Sequence, residues 1–352
     1  MIKNHFLFFL VIIFSSCSLY VDNEMPDIHF EYSDFDILEL GRTFSDMAIT
    51  EDGKSLFLAD YNNNAILQVN TDGPLSLKNT TVVGSHPIAL DLNSDNSRIA
   101  VALEGESKIA LLNTNNMNVV NFYTISLMNV NDLIFINDSI LIISSKTDPA
   151  CITLNVHSSE ESSQSVLNGE LAMDLNNHIL YVATSSSVKK YNWDGERFYQ
   201  DSNVADPYGF VGNVHHMVYN PETDIVFSCI SDKDKENDVQ HVYSYRCTDM
   251  TFAGKYLIRS PGLAVAVSEN GERVFTAPTD ADEIGVFIIE FDQETKLESN
   301  YYLSAGNLTG RGLSIDKQGQ YLYSLVNIPG DDDSFEPYND FSFDLQRIAI
   351  LD

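Results

Sequence analysis

A short phrase recurs seven times along this chain: an apolar run, a polar turn, and a second apolar run. It first reads Asp46-Met47-Ala48-Ile49, a turn at Asp52-Gly53-Lys54, then Leu56-Phe57-Leu58-Ala59. It returns at 89–92 with 99–102, 132–135 with 140–143, and 172–175 with 180–183. The last copies are 217–219 with 225–228, 264–267 with 274–277, and 313–315 with 322–325. The second runs start at 56, 99, 140, 180, 225, 274 and 322, giving spacings of 43, 41, 40, 45, 49 and 48. A strand-rich unit repeating every forty-odd residues cannot bury its apolar faces alone, so neighbouring copies must stack. The pattern predicts an all-β fold, a seven-bladed β-propeller with one blade per repeat.

In a blade of this kind, strand A borders the central channel and strand D lies at the rim. The first blade is predicted with A at 47–50, B at 56–59, C at 65–70 and D near 80–83. The second is predicted at 89–92, 99–102, 108–113 and 119–125. Asp52-Gly53, Asn176-Asn177 and Asn270-Gly271 mark A–B turns, since these residue types tolerate the left-handed backbone of tight hairpins. The central run Ile140-Leu141-Ile142-Ile143 is apolar throughout, as a strand covered on both faces requires. The seventh repeat lacks a fourth strand, because its third, at 347–351, runs into Asp352. Two strand-like stretches, 28–32 and 35–40, precede the first repeat, and one of them is expected to close the ring in the last blade. Closure removes the free edges of an open sheet.

The second repeat carries Pro87-Ile88-Ala89-Leu90-Asp91-Leu92-Asn93-Ser94-Asp95-Asn96 and Lys108-Ile109-Ala110-Leu111-Leu112-Asn113-Thr114. These residues resemble YVTN-type seven-bladed propellers, a group that includes lactonase-like and cell-surface proteins. The resemblance spans residues 28–352 as a repeat pattern and implies a fold. Its motif residues build strands and turns, and no catalytic motif of the sugar-lactonase branch matches residue by residue.

The N-terminus reads as an export signal. Lys3 and His5 precede the apolar run 6–14, followed by Ser15-Ser16-Cys17. That run is far shorter than the roughly 20 residues a membrane-spanning helix needs. Phe14-Ser15-Ser16-Cys17 resembles the lipobox of bacterial lipoproteins, which implies lipidation of Cys17. The expected organisation is a signal peptide at 1–16, a tether at 17–27 and the propeller at 28–352. A plain secretory peptide with an incidental Cys17 is the alternative. Ser18 after the cysteine favours the outer membrane in a Gram-negative cell, so the expected location is exported and lipid-anchored, periplasmic or surface-facing.

Acidic residues number 51 against 20 basic ones, a formal net charge of −31. Such a surface repels nucleic-acid phosphates, which excludes DNA and RNA as partners. A saline habitat explains this acidity, and so does attraction of cations or a basic partner. Beyond Cys17, the cysteines are Cys151, Cys229 and Cys247. Folding the fifth-blade hairpin about residue 235 sets residue 241 opposite Cys229 and residue 223 opposite Cys247. The two thiols are then out of register, and no disulfide is expected.

Candidate sites cluster on the face built from B–C and D–A loops. A long insertion at 329–344 holds Asp331, Asp332 and Asp333, with Tyr338 among several aromatics, and is the expected contact for an envelope protein or glycan. Asp232, Asp234 and Glu236 alternate like the opening of a calcium loop, which makes Ca2+ the one cofactor worth naming. Asn237 and Tyr243 stand where that loop wants glycine and glutamate, and a solvated hairpin tip explains the same acids. His215-His216 are adjacent and point to opposite sides of a strand, which disfavours zinc. Strand-A entrances place Asp46, His86, Asn131, Asp132, His216 and Arg311 at the channel mouth. His86, His216, Asp46 and Arg311 are the best candidates for acid–base work, provided they converge. Two functions follow: a lipid-anchored binding scaffold using its acidic loop face, or a lactonase-like hydrolase or isomerase acting on a small polar ring. The lack of a phosphate loop, nucleophile elbow or Ser-His-Asp pattern favours the first.

Overall fold

The computed structural model describes residues 35–351 except 185–186, 206–211, 233–239, 259–261, 279–285, 305–306 and 328–342. Every regular element among the described residues is a β-strand. Seven four-stranded antiparallel sheets follow one another along the chain, the blades of a propeller. In blade one, strands Phe44–Ile49, Ser55–Asp60, Ala65–Asn70 and Ser76–Val82 lie in sequence order from A to D. Blade two repeats this with Pro87–Leu92, Arg98–Leu103, Lys108–Asn113 and Val119–Thr124.

Period-two alternation explains how blades stack. In strand Arg98–Leu103, Ile99, Val101 and Leu103 face a cluster shared with blade one, while Ala100 and Ala102 face one shared with blade three. Both faces of a central strand are thus buried, which a wholly apolar run satisfies. The described core divides into seven such clusters, one between each pair of neighbouring blades. The pairing of blade seven with blade one, through Tyr323, Leu325 and Leu345 against Leu56, Leu58 and Leu67, completes the ring.

Each A–B hairpin ends on a polar side chain that accepts an amide from its own turn. Thr50 accepts from Ser55, Asn93 from Arg98, Asn137 from Ser139, Asp174 from Asn176, Asn220 from Thr223, Ser268 from Arg273 and Asp316 from Tyr321. These Asx- and Ser/Thr-type turns satisfy donors that the ladder cannot reach. Gly53 and Gly271 take the expected left-handed backbone. In blade four that role falls to His178, φ 56°, one residue beyond the Asn176-Asn177 pair.

Ring closure occurs as the sequence suggests. Strand Phe35–Arg42 pairs antiparallel with Phe343–Ala349, completing a sheet whose other members are Tyr321–Asn327 and Asn307–Ile315. The third strand of blade seven starts four residues earlier than the apolar pattern indicates, because Asp344 belongs to the strand and not to the preceding insertion. Its Oδ1 accepts the amides of Leu40 at 2.5 Å and Gly41 at 2.8 Å, where the N-terminal strand bulges away from the ladder. Arg347 then reaches blade one, donating to the carbonyls of Thr71 at 2.9 Å and Gly73 at 2.7 Å. The other candidate arm, 28–32, lies outside the described residues.

Cys151, Cys229 and Cys247 are buried free thiols. Cys229 stands opposite Val242 and Ile225 opposite Arg246, so the hairpin centre lies half a residue later than a fold about residue 235 assumes. Burial pushes the Cys229 and Cys247 thiols up to about 12, which keeps them protonated and unreactive.

Candidate functional site

Strand A is the inner edge of every blade, so its outward amides have no ladder partner. In blades one to three an aspartate on that strand supplies one. Asp46 accepts from Met47 N and, across the blade boundary, from Leu90 N, both at 2.9 Å. Asp91 accepts from Phe135 N of blade three at 2.7 Å. Asp132 accepts from Leu133 N at 2.9 Å and from Leu171 N of blade four at 3.0 Å. His216 repeats the device between blades five and six, its Nδ1 taking the Val265 amide at 3.2 Å. These side chains staple one inner strand to the next and satisfy buried donors that would otherwise be orphaned.

A recurring bulge aims Asp46, Asp132 and His216, while Asp91 lies in the regular part of its ladder. The A–B register shifts at the entry of strand A in six blades, between Phe44 and Asp46, Pro87 and Ala89, Val130 and Asp132, Val214 and His216, Gly262 and Val265, and Leu308 and Leu313. An extra residue at such a place turns its neighbour's side chain away from the regular pleat. The widest of these bulges holds Arg311 between Gly310 and Gly312, at a left-handed φ of 57°. That conformation is costly for a residue with a Cβ and persists only where the surroundings fix it.

Three carboxylates and a carbonyl fix it here. Arg311 Nη1 lies 3.2 Å from Asp132 Oδ1 and 3.6 Å from Asp46 Oδ2. Its Nη2 lies 2.7 Å from Glu170 Oε2 and donates to Asn131 O at 3.1 Å. Asn131 Nδ2 donates in turn to the other Glu170 oxygen at 2.9 Å. One guanidinium rooted in blade seven therefore joins blades one, three and four. All four charged side chains are close to nine-tenths buried.

Burial dominates the electrostatics. It raises Asp46 to about 7 despite the pull of Arg311 and the two amides. Asp91 rises to about 7 for the same reason, with the Asp132 and Asp46 charges adding to the effect. Asp132 rises to about 6, burial again outweighing Arg311. Burial and then the Arg311 charge push His216 down to about 3, so its imidazole is neutral and can accept at Nδ1. For Arg311, burial pulls the opposite way from Asp132, Glu170 and Asp46, and the carboxylates prevail, holding the guanidinium charged.

Of the four acid–base candidates, the structure links Asp46 directly with Arg311 and brings His216 under the same charge. His86 stands elsewhere. It has a left-handed φ of 54° and stacks on Tyr61 with ring centroids 4.5 Å apart, and Tyr61 Oη donates to Glu104 Oε2 at 3.1 Å. A carboxyl with a pKa near 7 is what general acid–base chemistry requires. Here, however, both Asp46 oxygens already take backbone amides, and Arg311 is shared among three acids. Among the described residues the cluster ties blades one, three, four and seven together through these contacts.

Glu170, on the one strand A whose ladder runs without a bulge, escapes a reading of the sequence because its partners, Arg311 and Asn131, come from other blades. Asp91 was visible only as part of a repeat motif. The signal that finds it is an acid on strand A in three successive repeats, at 46, 91 and 132. Asp232 ends strand Ile225–Asp232, paired with Gly212. Asp234, Glu236, Asp331, Asp332, Asp333, Tyr338 and Cys17 lie outside the described residues.

No protein-family model matches the chain, and no curated protein matches it in sequence. Solved structures do. A chain of hydrazine synthase from Kuenenia stuttgartiensis matches with a TM-score of 0.64 and 11% identity, over 86% of this chain and 96% of that one. The structure of U3-55K matches at 0.67 and 14%, over 90% of this chain and 98% of that one. The C-terminal WD40 domain of Sif2 matches at 0.60 and 15%, over 92% and 84%. The fold is a β-propeller. At these identities the likeness carries the architecture and no activity.

Proposed function

We propose that this propeller is a binding scaffold that presents its loop face to a protein or glycan partner. The observation that carries this reading is the state of the channel cluster. Of the acid–base candidates, Asp46 and His216 accept neighbouring amides as staples, and Arg311 braces Asp46, Asp132 and Glu170. A propeller whose inner strands are tied in this way holds its loops on a rigid ring, as a recognition surface requires. The lactonase-like alternative loses support for the same reason.

The setting we propose is the cell envelope. The apolar run 6–14 and Cys17 support export and lipid anchoring at an outer membrane, with 17–27 as tether. The acidic insertion bearing Asp331, Asp332 and Asp333 supports a partner with a basic or hydroxyl-rich surface, and Tyr338 supplies an aromatic contact. The alternating Asp232, Asp234 and Glu236 leave Ca2+ a proposal for that face.

The test is a quantitative pull-down from envelope extracts with the lipidated chain and with a variant carrying Asn at 331, 332 and 333. Loss of the partner in the variant, and weakening of the wild-type contact above physiological salt, are the expected results. An unchanged set of partners with unchanged salt dependence contradicts the assignment of the contact to this loop.

A further inference from the structure

Among the described residues every blade ends on an edge strand with no further strand paired to it, and six of the seven edge strands carry a charge that guards the edge. Phe35–Arg42 has Asp36, Glu39 and Arg42; Ser76–Val82 has Lys78; Glu161–Ser163 has Glu161. Phe198–Ala205 has Asp201, Thr251–Ile258 has Lys255 and Glu298–Ser304 has Glu298. Charged residues on an edge are the usual means of preventing strand addition. The edge of blade two, Val119–Thr124, has none. It sits within residues 109–131, the longest stretch of the chain free of Asp, Glu, Lys and Arg.

The edge is also open and well anchored. Val120 is 55% exposed and Phe122 48% exposed, while the intervening face is held by buried Tyr123, whose hydroxyl donates to Val156 O. The Ile125 amide points inward to Ser107 O. Because main-chain direction alternates along an antiparallel strand, the amide and carbonyl groups of Phe122 and Thr124 point outward. The register to strand Lys108–Asn113 is continuous from Asn121 to Thr124 and shifts between Asn121 and Val119, so the regular pairing edge is the stretch through Phe122 and Thr124.

We propose that the Val119–Thr124 edge is a β-augmentation site that adds an extended peptide segment of a partner protein as a fifth strand of blade two. Main-chain hydrogen bonds supply the affinity, and Val120 and Phe122 select β-branched or aromatic residues on the matching face. Charge decides between partners. A second copy of this chain would bring a net charge of −31 against another −31. The occupant is therefore a segment uncharged where it pairs and basic where it flanks the edge, drawn in by the protein's overall field. This inference goes beyond the loop-face reading, since it concerns the rim strand of blade two and not the 329–344 insertion.

The probe is a short labelled peptide of alternating valine and threonine with lysines at both ends, titrated against the chain by fluorescence anisotropy. Saturable binding is expected, weakened roughly tenfold or more by Phe122→Lys or Thr124→Pro, the latter removing an outward amide. Leu257→Lys, which adds the same charge to the exposed edge of blade five, is expected to leave binding unchanged, and Phe122→Lys to leave the melting temperature unchanged. N-methylation of alternate peptide amides is expected to abolish the contact. No saturable binding, or equal binding by Phe122→Lys, overturns the proposal. So does a dimer in sedimentation velocity that Phe122→Lys dissolves, since the edge then belongs to a second copy. The variant with Asn at 331, 332 and 333 should bind this peptide normally, which separates failure here from failure of the loop-face reading.

Discussion

Arg311 Nη2 lies 2.7 Å from Glu170 Oε2, so a side chain rooted in blade seven is gripped by one rooted in blade four. Seven blades leave these two three steps apart around the ring. The pair, with Asp46 and Asp132 beside it, couples inner strands that share no ladder. Closure therefore does not rest on the terminal sheet alone.

Removing the guanidinium should be expensive. Arg311→Met leaves Asp46, Asp132 and Glu170 buried without their shared cation, and a loss of about 3–5 kcal/mol is expected. Glu170→Gln should cost less, because the amide oxygen still accepts from Arg311 and one negative charge is relieved. Urea unfolding of the two variants checks the order, and a larger loss for Glu170→Gln would contradict the brace.

Stability should fall as pH rises through neutrality. Folded Asp46 and Asp91 titrate at about 7 and Asp132 at about 6, above the ordinary 3.8 they regain on unfolding. The folded state then binds more protons than the unfolded one, so the contribution is full below the unfolded value and is lost as pH passes the folded ones. His216, lowered to about 3, acts in the opposite sense below its ordinary 6.5, one group against three. The melting temperature is expected to rise on going from about pH 8 to about pH 5. The slope should persist in high salt, which screens surface repulsion but not buried groups, and should be shallower in Asp91→Asn.

Asp344→Ala should loosen the ring at its seam. The amides of Leu40 and Gly41 lose their acceptor where the N-terminal strand bulges, at a cost of about 1–3 kcal/mol. Hydrogen exchange should report faster exchange in residues 35–42 than in the other edge strands. Unchanged protection there would show that Tyr323, Leu325 and Leu345 hold the seam unaided.

The architecture was legible because its cause is local and repeated. An apolar strand alternating with a polar turn every forty-odd residues records the burial of both blade faces, and the unmatched strand at 35–40 records the missing fourth strand of blade seven. Asp344 was misplaced because an acid beside an acidic insertion looks like more insertion; only the two backbone amides it meets make it part of a strand. The channel cluster was half legible. Asp46, Asp132 and Arg311 stand at strand entrances where repeats predict the channel mouth, but their meaning depends on which amides lie across the blade boundary. Glu170 and the departure of His86 to Tyr61 depend on contacts between distant blades, which no spacing encodes.

The most direct test of the account is a comparison of chemistry with stability at one residue. Asp46 staples the Met47 and Leu90 amides, so the chain purified without its first 17 residues should turn over no member of a panel of sugar lactones, with or without added divalent metal. Asp46→Asn, which keeps an acceptor for only one of the Leu90 and Met47 amides, should lower the melting temperature and change nothing catalytic. Lactone turnover by the wild-type chain that Asp46→Asn abolishes while the fold stays intact would contradict the account and make the cluster an active site.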